Sequence, residues 1–318
     1  MAAPRDNSNK GAAYIFKYND GNWTQQAKLT AADGVAGDYF GSSVSISANH
    51  AIVGAYYDNT QAGSAYIFER NDGIWTQQAK LTASDSHTGD LFGNSVSISG
   101  DCAIVGAWLN DTPATNAGSA YIFYRHQGGT NNWGQQTKLT AADATLQDRF
   151  GYSVSINGEY AIVGAIGDEP NGDYSGSAYI FRHNGSAWAQ QAKLTASDGA
   201  LLDRFGWSVS IDGYYAIVGA RLNDEEGNDA GAAYVFAPNE VDPNNWDQLT
   251  KLTASDAAED DQFGYSVAIG AGHALVGAYG NDEGGSNAGA AYIFAPNGIN
   301  HDNWDQLVKL TASDAAAN

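Results

Sequence analysis

Polar and apolar residues alternate along this chain over short stretches, and nowhere at a helical period. Ser-Val-Ser-Ile at 43–46, 95–98, 153–156 and 208–211, with Ser-Val-Ala-Ile at 266–269, places an apolar side chain at every second position. That period of two predicts a strand with one buried face. A tight polar turn follows, as in Ser99-Gly100-Asp101 or Asn157-Gly158-Glu159, which is a hairpin signal. The predicted return strand, Ala-Ile-Val-Gly-Ala in most copies, is apolar at nearly every position. A loop rich in Asn, Asp and Gly leads to a third strand marked by Tyr14, Tyr66, Tyr121, Tyr179, Tyr234 and Tyr292. A fourth begins at Trp23, Trp75, Trp133, Trp188, Trp246 or Trp304 and ends at Lys-Leu. Strands that are apolar on both sides need cover on both sides, which four-stranded sheets packed face to face provide.

The set of four strands repeats. Phe-Gly opens it at Phe40, Phe92, Phe150, Phe205 and Phe263, every 52 to 58 residues. Self-similarity at such a period means a propeller, a solenoid or an array. The expected fold is all-β: a β-propeller of four-stranded antiparallel blades, five complete blades plus one two-stranded half blade, in a six-blade-like ring. We read residues 1–318 as a single domain. The half blade covers 1–32, and the repeats run over about 33–84, 85–142, 143–197, 198–255 and 256–314. Residues 2–16 align without a gap on 54–68, so the sequence opens at the end of a Val-Gly-Ala strand. Lys309 to Asp314 is the sixth copy of a segment that elsewhere leads into Phe-Gly. One more inner hairpin would complete the ring.

Phe-Gly at the start of one strand and Val-Gly-Ala at the end of the next resemble the FG-GAP repeat, which builds the β-propeller of integrin α subunits. Similar repeats occur in bacterial and archaeal surface proteins and in some fungal lectins. The resemblance covers nearly the whole chain, and Ala3-Pro4 keeps the Ala-Pro that the other copies replace, as at Ala55-Tyr56 and Ala107-Trp108. It implies a cell-surface or extracellular module for adhesion or recognition. In calcium-binding copies of the integrin-type repeat, an Asp-rich loop joins the first two strands. Here that connection is short, as at Ser47-Ala48-Asn49-His50, and lacks the oxygen ligands calcium needs. The family's calcium site does not carry over to these positions.

Charge narrows the partners. A formal net charge of −21 repels nucleic acid and anionic lipid, both of which need Lys and Arg on the protein. No apolar run reaches the ~20 residues of a membrane span, so neither nucleic acid nor membrane insertion is expected. Cys102 is the only cysteine, so no disulfide forms within one chain.

Acidic residues recur elsewhere in the repeat. Asp33 and Asp38, Asp85 and Asp90, Asp143 and Asp148, Asp198 and Asp203, and Asp256 and Asp261 precede each Phe-Gly at constant spacing. Asp58, Asp111, Asp168, Asp224 and Asp282 follow Val-Gly-Ala. In a four-stranded blade both loops lie at one end of the sheet, so the two sets converge on one acidic face. One reading makes each Asp a turn former that holds local N–H groups. The other makes the set a cation site, with calcium as the expected cofactor of such oxygen-rich loops. A catalytic role is not expected, because the pattern recurs in every repeat whereas an active site is one asymmetric constellation. The repeated Trp residues are expected to pack between blades with their N–H groups satisfied at the rim. The repeated Lys residues, from Lys28 to Lys309, are expected to guard the edge strand. Residues that break the repeat are better ligand candidates: Trp108, Trp207, Arg149, Arg204 and Arg221, with Arg5 and Tyr174 beside them. The six His residues, His50, His87, His126, His183, His273 and His301, form no metal-ligand spacing. The functional expectation is a non-enzymatic recognition or adhesion module that binds a protein or carbohydrate ligand, in one form a lectin. The alternative is a structural subunit that builds a homo-oligomer or filament through its incomplete blade.

Overall fold

The computed structural model describes residues 1–242, 244–297 and 303–314; His301 lies outside them. The strands fall in six antiparallel sheets, one of three strands and five of four. Each four-stranded sheet has the expected order, an inner hairpin followed by two outer strands. We number the sheets as blades 1 to 6 in chain order. By compactness the chain divides into two units, Met1–Gly158 and Glu159–Asn318. The division falls in the tight turn of blade 4, between its strands Phe150–Asn157 and Tyr160–Ala165.

In the first unit, blade 1 holds Ala12–Asn19 and Asn22–Leu29 and one strand more than the sequence led us to expect, Ala2–Ala3. This short strand pairs Ala2 with Ala13 and Ala3 with Ala12. Gly54 and Ala55 pair with Ala65 and Ser64 in the same register, so the segment is the stub of a Val-Gly-Ala strand. Blade 2 comprises Val44–Ser47, His50–Ala55, Ser64–Asn71 and Ile74–Leu81. Blade 3 comprises Ser95–Ser99, Cys102–Ala107, Ser119–Tyr124 and Gly134–Leu139. Two four-residue helical turns, Asp6–Asn9 and Asp58–Gln61, interrupt the loops. Each contains residues at positive φ, such as Asn7 and Asn59, a region Asn tolerates because its short side chain bonds locally.

The second unit holds Tyr160–Ala165, Ser177–His183 and Trp188–Leu194, followed by two whole blades. Blade 5 is Phe205–Asp212, Tyr215–Ala220, Ala232–Pro238 and Trp246–Leu252. Blade 6 is Phe263–Gly270, His273–Ala278, Ala290–Asn297 and Asn303–Leu310.

Packing follows the apolar pattern. Tyr66, Tyr121, Tyr179, Tyr234 and Tyr292 are fully buried, as are Phe40, Phe92, Phe150, Phe205 and Phe263. In blade 3 the Phe92 ring meets Tyr121 edge-on, with centroids 5.5 Å apart. Phe263 and Tyr292 repeat the contact in blade 6. Burial of one such side chain stabilises by ~1.5–3 kcal/mol, so these pairs carry much of the core.

Neighbouring inner hairpins are joined by serine. Ser43 donates from Oγ to the Gly93 carbonyl at 2.8 Å, and Ser208 to that of Gly264 at 2.8 Å. In return, Ile98 N–H donates back to Ser45 Oγ and Ile269 N–H to Ser210 Oγ. The polar positions of Ser-Val-Ser-Ile therefore link blades and do not simply face water.

A register shift falls between the Ile or Val and the Phe of the third strand in blade 2, between Ile67 and Phe68, and likewise in blade 5, between Val235 and Phe236. Such a bulge re-aims side chains, among them Gln77 and Gln78 in blade 2 and Gln248 in blade 5. Gln77 Oε1 accepts Ala32 N–H at 2.9 Å, and Gln78 Oε1 accepts Trp133 Nε1–H at 2.9 Å. Trp246 Nε1–H donates to Gln191 in the second unit. Each of these tryptophans lies against the blade before it with its N–H satisfied.

Candidate functional site

The acidic loops are built around lysine. Lys80, on the outer strand of blade 2, places Nζ 2.6 Å from Asp33 and 2.7 Å from Asp58. Its ammonium also stands 5.4 Å from the centroid of the Tyr66 ring, and the Tyr66 hydroxyl donates to Asp58. The unit recurs. Lys138 meets Asp85 at 2.5 Å, Lys193 meets Asp168 at 2.6 Å, and Lys28 meets Asp6 at 2.6 Å. Lys251 and Lys309 each take a second carboxylate: Asp198 with Glu225, and Asp256 with Glu283. These lysines lie on the edge strand of each sheet, as the repeat predicts, and act there as counter-ions that clasp the loops of their blades.

Electrostatics agree with the geometry. Burial works to raise the Asp33, Asp85, Asp198 and Asp256 carboxyls. The hydrogen bonds from the partner lysine and tyrosine outweigh it and hold all four below the usual carboxylate range. Burial likewise opposes the charge on Lys80, Lys251 and Lys309, and their carboxylate partners hold these ammonium groups above the usual value. Burial pushes the Tyr292 hydroxyl up to about 12.

The second Asp of each pair is buried and holds backbone. Asp38 accepts Val35 N–H, Asp90 accepts His87 N–H, Asp203 accepts Ala200 N–H and Asp261 accepts Ala258 N–H. Asp148 takes both the N–H and the hydroxyl of Thr145. Asn110, Asn223 and Asn281 add a side-chain N–H to Asp90, Asp203 and Asp261. Burial raises the Asp203 carboxyl above its ordinary value.

The set after Val-Gly-Ala divides in two. Asp58 and Asp168 are buried against lysine. Their structural equivalents in blades 3, 5 and 6 are Asn110, Asn223 and Asn281, three residues beyond Val-Gly-Ala in every case. Asp111, Asp224 and Asp282 stand one residue further on, exposed, and accept the N–H of Asn116, Asp229 and Asn287. Asp143 is exposed in the loop that precedes blade 4. Sequence reasoning missed Asp6, the three Asn residues, Glu225 and Glu283, and it singled out the lysines without their carboxylate partners. The available signal was one lysine per repeat set 53 residues after Asp85, Asp198 and Asp256. Among the described residues, no group of three or more His, Cys, Asp or Glu side chains is arranged to hold a metal ion.

All five ligand candidates meet another member of the set. In the first unit, the Arg149 guanidinium lies 5.3 Å from the centroid of the Trp108 ring, and Trp108 meets Tyr152 edge-on. In the second, Arg221 stacks on Trp207 at 3.9 Å, and Arg204 approaches the same ring at 5.8 Å. Tyr265 extends the group beside Trp207 and stacks on Tyr279 at 4.9 Å, and both tyrosines are exposed. The local cause is a register shift at the start of the inner strand. Phe205 pairs with Ala220, but the next pair is Ser208 with Gly219. Gly206 and Trp207 are thus left out of the ladder, and Trp207 turns aside. Phe263 and Ser266 leave out Tyr265 in the same way. Arg221 follows Val-Gly-Ala in the adjoining strand, and its guanidinium donates to Gln262 Oε1 at 2.6 Å. Of the two remaining residues, Arg5 is exposed at the entry of the first helical turn, and the Tyr174 carbonyl accepts Arg204 N–H.

Consecutive four-stranded antiparallel meanders, joined through their inner hairpins, define the class: these are β-propeller blades. Five segments, residues 23–68, 75–123, 133–181, 188–236 and 246–294, match the FG-GAP repeat. The chain belongs to that family, as the Phe-Gly and Val-Gly-Ala pattern implied. A search of curated proteins returned no match. No helix among the described residues is long and apolar enough to cross a membrane.

Proposed function

We propose that this chain is a non-enzymatic extracellular recognition module that binds a protein or a glycan through half-buried arginine and tryptophan side chains flanked by exposed tyrosines. The observation that carries the reading is the array Arg204, Trp207, Arg221, Tyr265 and Tyr279. Flat rings offer a face to a sugar ring or an apolar side chain, and the flanking guanidinium groups favour carboxylate or sulfate on the partner. The chain carries a net charge of −21, and Asp229 lies within electrostatic reach of Arg204 and Arg221, so the array pairs its guanidinium groups with local carboxylate. The FG-GAP fold serves commonly as a protein-interaction module, and its repeats are typical of extracellular proteins. The loop carboxylates are held by lysine and backbone N–H, which supports a structural role for them over a catalytic one. A glycan array and an interaction screen with the intact chain test the reading. Trp207→Ala should abolish the binding found while leaving the melting temperature within a few degrees. Binding that Trp207→Ala leaves unaltered would refute the role of the array.

A second reading, self-assembly, has its own observation: blades 2 and 6 present exposed apolar side chains. Val44 and Ile46 in blade 2 are 40% and 56% exposed, whereas the equivalents in later blades are mostly buried. In blade 6, Leu275 and Leu310 are 42% and 46% exposed. Light scattering across a concentration series tests it, and a monomer at every concentration would refute it.

A further inference from the structure

One loop of blade 2 is shorter than most of its counterparts, and the difference opens a cavity. Eight residues, 56–63, join the Val-Gly-Ala strand of this blade to its third strand, whereas eleven do so in blades 3 to 6, as at 108–118 and 221–231. The longer loops cover the repeated lysine. In blades 5 and 6 they lay Glu225 and Glu283 against it, and the lysine side chains of blades 3 to 6 are 16–28% exposed. Lys80 is 32% exposed, and Lys28, beside another loop of eight residues, is 45% exposed.

The space left over blade 2 is a cavity of about 570 Å³, lined by Asp33, Tyr57, Asn59, Ser64, Lys80 and Thr82 among others. Every lining residue belongs to the first unit. Ser64 is fully buried in this lining, and its hydroxyl has no hydrogen-bond partner. Blade 3 shows what is missing. There the Ser119 hydroxyl meets Asn110 Oδ1 at 3.0 Å and the Thr112 carbonyl at 3.3 Å, the second of these within the longer loop. Ser177 in blade 4 also lacks a partner, but its loop has eleven residues. A buried hydroxyl left unpaired is costly, so Ser64 favours a ligand that brings it a polar atom.

The groups around Ser64 say what that ligand is. Lys80 directs its ammonium at Asp33 and Asp58 and so fixes both carboxylates, each of which keeps further acceptor sites. Exposed Asn59 and Thr82 add an amide and a hydroxyl. Tyr57 is 38% exposed and is held by Tyr39 at 5.2 Å and Tyr56 at 4.6 Å, so its ring is a fixed wall. An anion would meet the two carboxylates, and a cation would have to displace Lys80. A neutral ring of hydroxyl groups meets neither obstacle. It donates to carboxylate, accepts from Asn59 and Thr82, and lays its C–H face on an aromatic ring.

We propose that this cavity binds one pyranose ring of a neutral saccharide, with hydroxyl groups on Asp33 and Ser64 and a C–H face against Tyr57. The inference deepens the recognition reading, on which it rests for the class of partner, and uses none of the residues of the Trp207 array.

Saturation-transfer NMR on the intact chain tests it, with the methyl glycosides of glucose, galactose, mannose and N-acetylglucosamine as probes at millimolar concentration. At least one should bind, with its C–H protons saturated most strongly. Ser64→Ala removes a hydroxyl that bonds nothing, and Ala12, Ala232 and Ala290 already stand at that position in other blades. The melting temperature should therefore hold while binding weakens about fivefold, the worth of one hydrogen bond. Tyr57→Ala should weaken it at least as much. Trp207→Ala should leave it unaltered. Binding this weak does not survive the washes of a glycan array, so the array of arginine and aromatic groups and the cavity of blade 2 stand or fall separately. No binding by any of these glycosides, binding that both Ser64→Ala and Tyr57→Ala leave intact, or uptake of ethylamine in preference to the sugars would overturn the proposal.

Discussion

Lys80→Met is the sharpest test of how the acidic loops are held. The substitution keeps most of the aliphatic stem and removes the charge that sits 2.6 Å from Asp33 and 2.7 Å from Asp58. At an effective dielectric of about 20, unit charges ~4 Å apart attract by about 4 kcal/mol. Exposure reduces this. Asp33 has half of its side chain in water, where such a pair contributes ~1 kcal/mol or less. Asp58 is nearly covered, and removal of the partner of a buried charge costs ~3–5 kcal/mol. Between these limits we expect a loss of about 2 kcal/mol, measured by urea unfolding at pH 7. The double variant Lys80→Met with Asp58→Asn should recover most of it, since no uncompensated charge remains under cover. The pH profile gives a second check. The Asp33 carboxyl is held low in the folded chain, so its contribution is present above the unfolded value of ~3.9 and is lost as pH falls through the folded value. Lys80 is held high, so its contribution is fully present below ~10.4 and is lost as pH rises through the folded value. The wild-type chain should thus keep the clasp across neutral pH, and Lys80→Met should lose this acid-side dependence. A single variant within 0.5 kcal/mol of wild type, or a double variant no more stable than the single, would refute the reasoning.

Four further outcomes follow from the same geometry. Gly106→Ala would place Cβ 2.0 Å from the Gly151 carbonyl oxygen, so it should cost at least ~3 kcal/mol and lower the melting temperature sharply, where a surface Gly→Ala would not. Ile98→Ala should cost ~2–4 kcal/mol because Ile98 is buried; Ile46→Ala, at the equivalent but exposed position, should cost less than ~1 kcal/mol, and equal losses would contradict the packing described. Calcium at millimolar concentration, or EDTA, should leave the melting temperature unchanged, and a rise with calcium would show that a cation shares the carboxylates with lysine. Burial pushes the Cys102 thiol up to about 12, so a thiol reagent at pH 8 should label it only after denaturant is added, and rapid labelling of the native chain would contradict its burial.

What the sequence determined alone was the local and periodic part of this protein. Alternation in Ser-Val-Ser-Ile, the apolar run of Ala-Ile-Val-Gly-Ala and the recurring Tyr-Ile-Phe located the strands, their order and the family, because a strand's period and a hairpin's turn are short-range properties. The start at the end of a Val-Gly-Ala strand was legible as well, since Ala2 and Ala3 align with Gly54 and Ala55 and pair in the same register. The electrostatics were not. Asp33 and Lys80 lie 47 residues apart in sequence, and nothing local says that a lysine on an outer strand returns to the loop that feeds its own blade. Nor could composition show that Asn110 stands where Asp58 does, so Asp111 was aligned one residue out of place. Trp207 and Arg221 stood out as breaks in the repeat, but their stacking depends on a register shift that leaves Gly206 and Trp207 outside the ladder. Register is settled by pairing between strands, and ion pairs by which loops the folded sheet brings to one end. Register is thus decided within a hairpin, where Phe205 meets Ala220, and the ion pairs only when residues some 50 positions apart meet.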